Sequence, residues 1–272
     1  MSLAYTTVPL QVKGVNLELS TIHRLNSTAP VLFLHGFGSC KEDLADFFLH
    51  PTLEKYGFIA YDAPGCGNST TDDLSAIDMP FLLATVEEFL AHFGISQIHI
   101  IGHSMGGLTA LLFAHRHPGR VLSFVDIKGN LAPEDCFLSR QTYEHPSKNP
   151  DEFFEAFIDR TRNTKSYSSP LFASVLRTRV RAAAVKPIFE SMVRYSDEDD
   201  LVTKFIKLEC PRMFVFGEEN QELSYLERLG KEGVQLALIP ESGHFPMYAN
   251  PVEMYRRIAG FLDTVETGQS DR

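Results

Sequence analysis

The sequence is short of positive charge. Its 272 residues carry 25 lysines and arginines against 35 aspartates and glutamates, a formal net charge of −10. Binding to nucleic acid or to an anionic membrane surface needs clustered positive charge, so neither partner is expected, and a neutral substrate is favoured over a polyanion. Cysteine is sparse as well. Cys40, Cys66, Cys136 and Cys210 lie far apart with no C-x-x-C pairing, which suits neither a zinc knuckle nor a dense disulfide framework. They read as free thiols in a reducing cytoplasm. No apolar run approaches the roughly 18 residues of a transmembrane helix. The opening MSLAYTTVPLQVKG has neither the basic start nor the apolar stretch of a secretory signal. A cytoplasmic location is the expectation. Metal-ligand spacing, a phosphate-binding G-x-x-x-x-G-K and internal repeats are all missing, so neither metal nor cofactor is expected.

What is present is an ordinary globular mixture, 44% hydrophobic and 22% charged. A chain of this length can bury roughly 70–75% of its unfolded surface and needs no staple to hold a core. TTVPLQV and VNLELSTIHRL alternate with a rough period of two around Lys13-Gly14 and read as an antiparallel opening pair. VLFLHG, FIAYDAPG, IHIIGHS, VLSFVDIKG, MFVFGEEN and VQLALIPESGH are short continuous apolar runs stopped by Gly, Pro or polar residues. Runs of that kind fit parallel strands buried on both faces. Helical stretches lie between them. Leu82, Val86, Phe89, Leu90 and Phe93 share one helical face, and Gly94 follows as a stop. Asn250, Pro251 and Glu253 look like the cap, first-turn proline and capping acid of a helix through Leu262, with a polar tail that frays after Phe261. Repeated strand–helix alternation predicts a doubly wound, mostly parallel sheet of eight strands. From 131 to 209 no strand is evident, only helical stretches such as DEFFEAFIDR, SPLFASVLRTRVRAAAV and PIFESMVRY. The chain is therefore expected to divide into a core of 1–130 and 210–272 with an inserted helical cap at 131–209.

The sharpest chemical signal is GHSMG, Gly102 to Gly106, lying between the apolar run IHII and the helical run GLTALLFAHRH. Strand, G-x-S-x-G and helix in that order form a nucleophile elbow. The turn is tight enough that only small residues fit two before and two after Ser104. The serine oxygen then stands at a helix N-terminus, where developing negative charge is favoured. Ser104 needs a base, and His244 in SGHFPMYANP is the best placed. It follows the last strand on a loop at the carboxyl rim of the sheet, the same rim as Ser104. His103 reads as packing sideways, and His115 and His117 as caps of a helix end.

With HGFGS at His35–Ser39, YDAPGCGNS at Tyr61–Ser69, GHSMGG around Ser104 and SGHFPMYANP around His244, the chain resembles the α/β-hydrolase superfamily over nearly its whole length. The resemblance implies an oxyanion hole built from the backbone N–H groups of Phe37 and Met105; Gly36 and Gly38 would let the Phe37 amide turn toward the site. It also exposes a departure. Most relatives carry an aspartate after the seventh strand, where this chain has Asn220, preceded by Glu218 and Glu219. A minority, similar to certain haloalkane dehalogenases and macrolide-lactone hydrolases, place the acid after the sixth strand, and Asp126 in VLSFVDIKGN stands there. Three readings stay open: Asp126 as the triad acid, Asp126 as a structural partner of Lys128 or of a nearby backbone amide, and Glu218 or Glu219 as the acid.

The resulting expectation is a cofactor-free serine hydrolase with a Ser104–His244–Asp126 triad, cleaving a carboxylic ester of a small or medium, largely apolar small-molecule substrate. A serine nucleophile disfavours dehalogenation and epoxide opening, which run through an aspartyl ester. A lactonase, thioesterase or carbon–carbon hydrolase would use the same triad, a cofactor-free perhydrolase or lyase the same scaffold, and a slow-turnover small-molecule receptor the same fold. A homodimer is left open. Arg177, Arg179, Arg181 and Arg194 form a basic cluster inside this acidic chain, read either as solvated helix faces or as a clamp on a substrate carboxylate.

Overall fold

Short runs of β-branched and aromatic residues become strands because they bury both faces at once. The computed structural model describes residues 3–268 other than Ser27, Pro146, Lys148 and Tyr167. The strands are β1 (Ala4–Val12), β2 (Val15–Arg24), β3 (Val31–Leu34), β4 (Phe58–Tyr61), β5 (Thr70–Thr71), β6 (Ile98–His103), β7 (Val121–Ile127), β8 (Arg212–Gly217) and β9 (Gln235–Ile239). They form one sheet in the order β1-β2-β4-β3-β6-β7-β8-β9, with β5 added beside β2. Every residue of β3, β4 and β6 is buried. The strands from β4 to β9 along this order run parallel, whereas β1 and β5 pair with β2, and β2 with β4, antiparallel. Lys13 (φ 49°) and Gly14 (φ 86°) both take positive φ in the turn joining β1 to β2, the conformation that matches the twist of a tight hairpin. The eight expected strands are all present. The ninth, β5, is two residues long and carries no periodicity to read.

Helices cover the sheet. They are α1 (Met79–His92), α2 (Met105–Arg116), α3 (Gln141–Glu144), α4 (Pro150–Arg162), α5 (Ser169–Arg179), α6 (Ala182–Glu198), α7 (Leu201–Ile206), α8 (Leu226–Lys231), α9 (Pro246–Ala249) and α10 (Pro251–Thr267). α2 packs on β3, β6 and β7, and α10 on β7 and β9. α10 opens on the expected cap and first-turn proline, with the Asn250 side chain accepting from Glu253 N at 3.3 Å, but Glu253 forms no capping box: its carboxylate accepts from Arg256 and Arg257. The helix also runs further than expected, to Thr267, because Val265 still packs on the core; Gly268 (φ 66°) then ends it. The last four residues of the expected frayed tail lie outside the described residues.

Five helices, α3 to α7, lie between β7 and β8. SPLFASVLRTRVRAAAV reads as one helix, yet it breaks at Val180. There the chain becomes extended and pairs with Cys66, Gly67 N donates to Arg179 O at 2.7 Å, and Arg181 N donates to Gly65 O at 2.9 Å. Backbone pairing with the segment after β4 outweighs helix continuation at that point. α6 then continues straight through Pro187. The apolar sides of α4, α5 and α6 join the sheet residues in one continuous core through Phe153, Phe157, Phe172 and Phe189. α7 lies against the sheet itself, with the Phe205 ring edge-on to Phe124 and Phe214.

Beneath this helical layer the segment after β4 is fixed by a buried ion pair. Asp62 accepts from Lys41 Nζ at 2.9 Å, from Lys41 N at 2.9 Å and from Asn68 N at 2.8 Å. Both side chains are about 2% exposed or less. Breaking one partner of such a pair costs about 3–5 kcal/mol, so the pair holds the HGFG loop and the β4 loop in one arrangement.

Candidate active site

The turn from β6 to α2 forces Ser104 into an unusual backbone conformation, φ 52° and ψ −118°. A non-glycine residue there stores strain of about 1–3 kcal/mol, tolerated because the surroundings leave no alternative. A Cβ on Gly106 would stand 2.0 Å from Leu34 O and 2.6 Å from His35 O, and one on Gly102 would stand 2.6 Å from Gly106 O. The backbone of the elbow and the end of β3 are thus in direct contact. Ser104 N donates to Ile127 O at 3.1 Å, which ties the elbow to β7 as well.

The same contact sets the loop after β3. A Cβ on Gly36 would meet Ser104 Cβ at 3.1 Å and His103 Nδ1 at 2.5 Å. Gly38 (φ 73°) lies under α5, where a Cβ would approach Leu176 to 2.4 Å and Phe172 to 2.7 Å. Ala63 N donates to His35 Nε2 at 2.8 Å, so His35 Nδ1 carries the proton and donates to Gly36 O at 2.7 Å. The backbone N–H groups of Phe37 and Met105 donate to no backbone acceptor among the described residues.

His244 lies between β9 and α9, half-buried and roughly perpendicular to the rings of Phe137 (5.2 Å between ring centres) and Phe245 (4.8 Å). Burial pushes its imidazole well below the usual histidine value, with His103 and Lys128 adding to the effect. Burial likewise lowers His103, to about 4. The neutral His103 ring donates from Nε2 to His244 O at 2.9 Å. His103 packs sideways as expected, against the Phe245 ring at 5.5 Å between ring centres, and also ties the elbow to the His244 loop, a contact across 141 positions that no local pattern announces.

Asp126 is the penultimate residue of β7 and is fully buried. Its Oδ1 accepts from Gly129 N at 2.8 Å. Burial pushes the carboxyl up to about 8; the Gly129 amide pulls it back, the charge of Asp135 raises it, and Lys128 lowers it. Lys128 is not its hydrogen-bonded partner. With φ 48° the chain turns away, and Lys128 Nζ pairs with Asp135. Asp135 also accepts from Tyr225 Oη at 3.0 Å, Leu131 N at 2.9 Å and Ala132 N at 3.0 Å. Of the structural readings of Asp126, the backbone amide is the one observed. Glu218 accepts from Glu241 N at 2.9 Å, and the Glu219 carboxylate lies against Gly243, where a Cβ would stand 2.1 Å from its Oε2. Four buried atoms here have no hydrogen-bond partner: His103 Nδ1, Asp126 Oδ2, His244 Nδ1 and Asn220 Oδ1. Asp126 and His244 therefore each keep one complementary group unused, and no hydrogen bond joins them in this structure.

Ser104, His244 and Phe37 line one inner cavity with Asn130, Phe172, Phe189, Met192 and Phe245. Its free volume is about 20 Å³. An outer chamber of about 590 Å³ adjoins it, sharing Phe137, Leu138, His244 and Phe245, and reaches Arg160, Thr164, Glu219 and Asn220. The basic cluster lies at neither place. Arg177 pairs with Glu155, Arg179 with Asp43 at 3.2 Å, and Arg181 donates to Gly67 O at 2.9 Å; Arg194 faces a groove beside α1 and α6. No group of His, Cys, Asp and Glu suited to a metal occurs among the described residues. The chemistry open to this arrangement is nucleophilic attack by the strained serine beside a neutral imidazole and two unengaged amides.

The elbow contact gives a direct test. Gly106→Ala is expected to destabilise the protein by at least about 2 kcal/mol, because backbone cannot move aside for the new Cβ. Urea unfolding measures it, and an unchanged midpoint would contradict the close approach.

Known proteins bear on this site. The family model for the alpha/beta hydrolase fold matches residues 29–202, more than half of the chain. A Mycoplasma genitalium protein, assigned by its name alone as an esterase/lipase, is 31% identical over 244 residues, 86% of this chain and 89% of its own. Among solved structures, a carboxylesterase from the thaumarchaeon Nitrososphaera gargenis superposes with a TM-score of 0.76 at 18% identity, covering 96% of this chain and all of that one. An N-acyl homoserine lactonase superposes with a TM-score of 0.75 at 18% identity, covering 97% and 98%. Strand order, elbow and family match agree: the chain belongs to the α/β-hydrolase family.

Proposed function

We propose that this hydrolase cleaves a carboxylic ester of a small or medium, largely apolar substrate through an acyl-enzyme on Ser104. The observation that carries the reading is the strained φ, ψ of Ser104 at the elbow, in one cavity with His244 and Phe37. His244 takes the Ser104 proton as Oγ attacks the carbonyl carbon. The Phe37 and Met105 amides hold the resulting oxyanion. The tetrahedral intermediate collapses by breaking the bond to the alcohol oxygen, which leaves with the proton from His244. A water molecule, deprotonated by His244, then releases the carboxylic acid and restores Ser104.

Asp126 serves in this mechanism as the acid, its Oδ2 accepting a hydrogen bond from His244 Nδ1–H and offsetting the imidazolium charge. Two partnerless buried groups of opposite character support that pairing, since each is costly to leave unmade. Residues 131–209 form the cap by the same proposal, although α7 belongs with the core by its contacts. The relative at 31% identity is named an esterase/lipase, which favours ester over lactone, thioester or carbon–carbon substrates. A cytoplasmic setting fits the four free cysteines. No helix among the described residues is long and apolar enough to cross a membrane.

A fluorophosphonate probe is expected to label the protein once, on Ser104, and Ser104→Ala to abolish labelling; a label elsewhere removes the nucleophile. The acid is tested by pH. Only ionised Asp126 can accept from His244, and its carboxyl is raised to about 8. Activity is therefore lost as pH falls through about 8, with kcat/KM dropping about tenfold per unit below it. Asp126→Asn is expected to lower kcat about 10²- to 10⁴-fold and Glu219→Gln far less. A kcat/KM profile flat down to pH 6, or the reverse ranking of the two variants, contradicts the assignment.

A further inference from the structure

The two adjoining cavities differ in size and in chemistry, and His244 stands between them. The inner one has room for about one water-sized group beside Ser104. Its far walls are aromatic, with Phe37 and Phe189 packed at 4.5 Å between ring centres. Its polar side chains are already engaged: Asn130 donates to Cys136, and Asp135 accepts four hydrogen bonds. The outer chamber of about 590 Å³ lies past His244, with Arg160, Thr164, Glu219 and Asn220 set among the apolar side chains of Phe137, Leu138 and Phe245. Asn220 Oδ1, buried there, has no donor. Arg160 donates to Gln141 Oε1 at 2.8 Å and forms no ion pair with a described carboxylate.

Reaction geometry then allots the halves of an ester. The leaving oxygen takes its proton from His244, so the alcohol part extends to the His244 side, into the outer chamber. The acyl part is left with the inner cavity. Building on the serine-hydrolase reading above, we propose that the substrate is a short-chain acyl ester, acetyl in size, of a hydroxyl-bearing alcohol. One hydroxyl donates to Asn220 Oδ1, and another oxygen accepts from Arg160. The apolar character expected of the whole substrate is thereby confined to its acyl end. Ser104 Oγ bonds to the acetyl carbon, the alcohol leaves protonated, and water releases acetate.

Initial rates with p-nitrophenyl acetate, butyrate and octanoate test the acyl half. Glyceryl monoacetate against ethyl acetate tests the alcohol half, in wild type, Asn220→Leu and Arg160→Met. From acetate to butyrate kcat/KM is expected to fall at least about tenfold, and further to octanoate. Glyceryl monoacetate is expected to exceed ethyl acetate about tenfold in kcat/KM, and each variant to lower that ratio several-fold. Octanoate turned over as well as acetate overturns the acyl assignment. A ratio near one, or one unmoved by both variants, overturns the alcohol assignment. Acetate hydrolysis that is absent, or that persists in Ser104→Ala, overturns the serine-hydrolase reading itself and this inference with it.

Discussion

The site depends on one close approach of backbone to backbone. Gly106 lies so near Leu34 O and His35 O that the β6–α2 turn and the end of β3 cannot move independently. That contact puts the strained Ser104 beside Gly36 and brings Phe37 to the same cavity. α5 presses on one side, with Phe172 and Leu176 seated on Gly38, and the Lys41–Asp62 pair holds the neighbouring loop. In the proposed mechanism, placement of this kind lets the Phe37 and Met105 amides act as an oxyanion hole without reorganising during the reaction.

Around that contact, buried charge is handled in two different ways. Lys128 and Asp135 neutralise each other, and Asp135 is satisfied by an amide pair and Tyr225 as well. Asp126, two residues before Lys128, has a single amide and one idle oxygen. The first arrangement is closed and structural. The second keeps capacity in reserve, at a burial cost reflected in a carboxyl raised to about 8. His103 links this layer to the rest, since its hydrogen bond to His244 O joins the elbow to the His244 loop.

Elements set by local pattern were legible in the sequence. Parallel strands buried on both faces are unbroken apolar runs, and Ser104 and His244 sit in short motifs beside such runs. What depended on distant packing was not legible. β5 exists because Asn16 and Asp72 meet through 2.7 and 3.1 Å hydrogen bonds, and the helix broken at Val180 yields to pairing with Cys66. The partner of Lys128 is chosen by a positive φ at Lys128 itself. Which aromatic residues narrow the cavity follows from how α5 and α6 lie, and helical spacing alone does not select them.

The central claim is that Asp126, near the end of β7, holds the His244 imidazole. Proton NMR of the fluorophosphonate adduct reports it most directly, through the far-downfield Nδ1–H resonance of an imidazolium bonded to a carboxylate. The account predicts that this resonance is present in the wild-type adduct, persists in Glu219→Gln and vanishes in Asp126→Asn. A resonance that survives in Asp126→Asn and is lost in Glu219→Gln would contradict it.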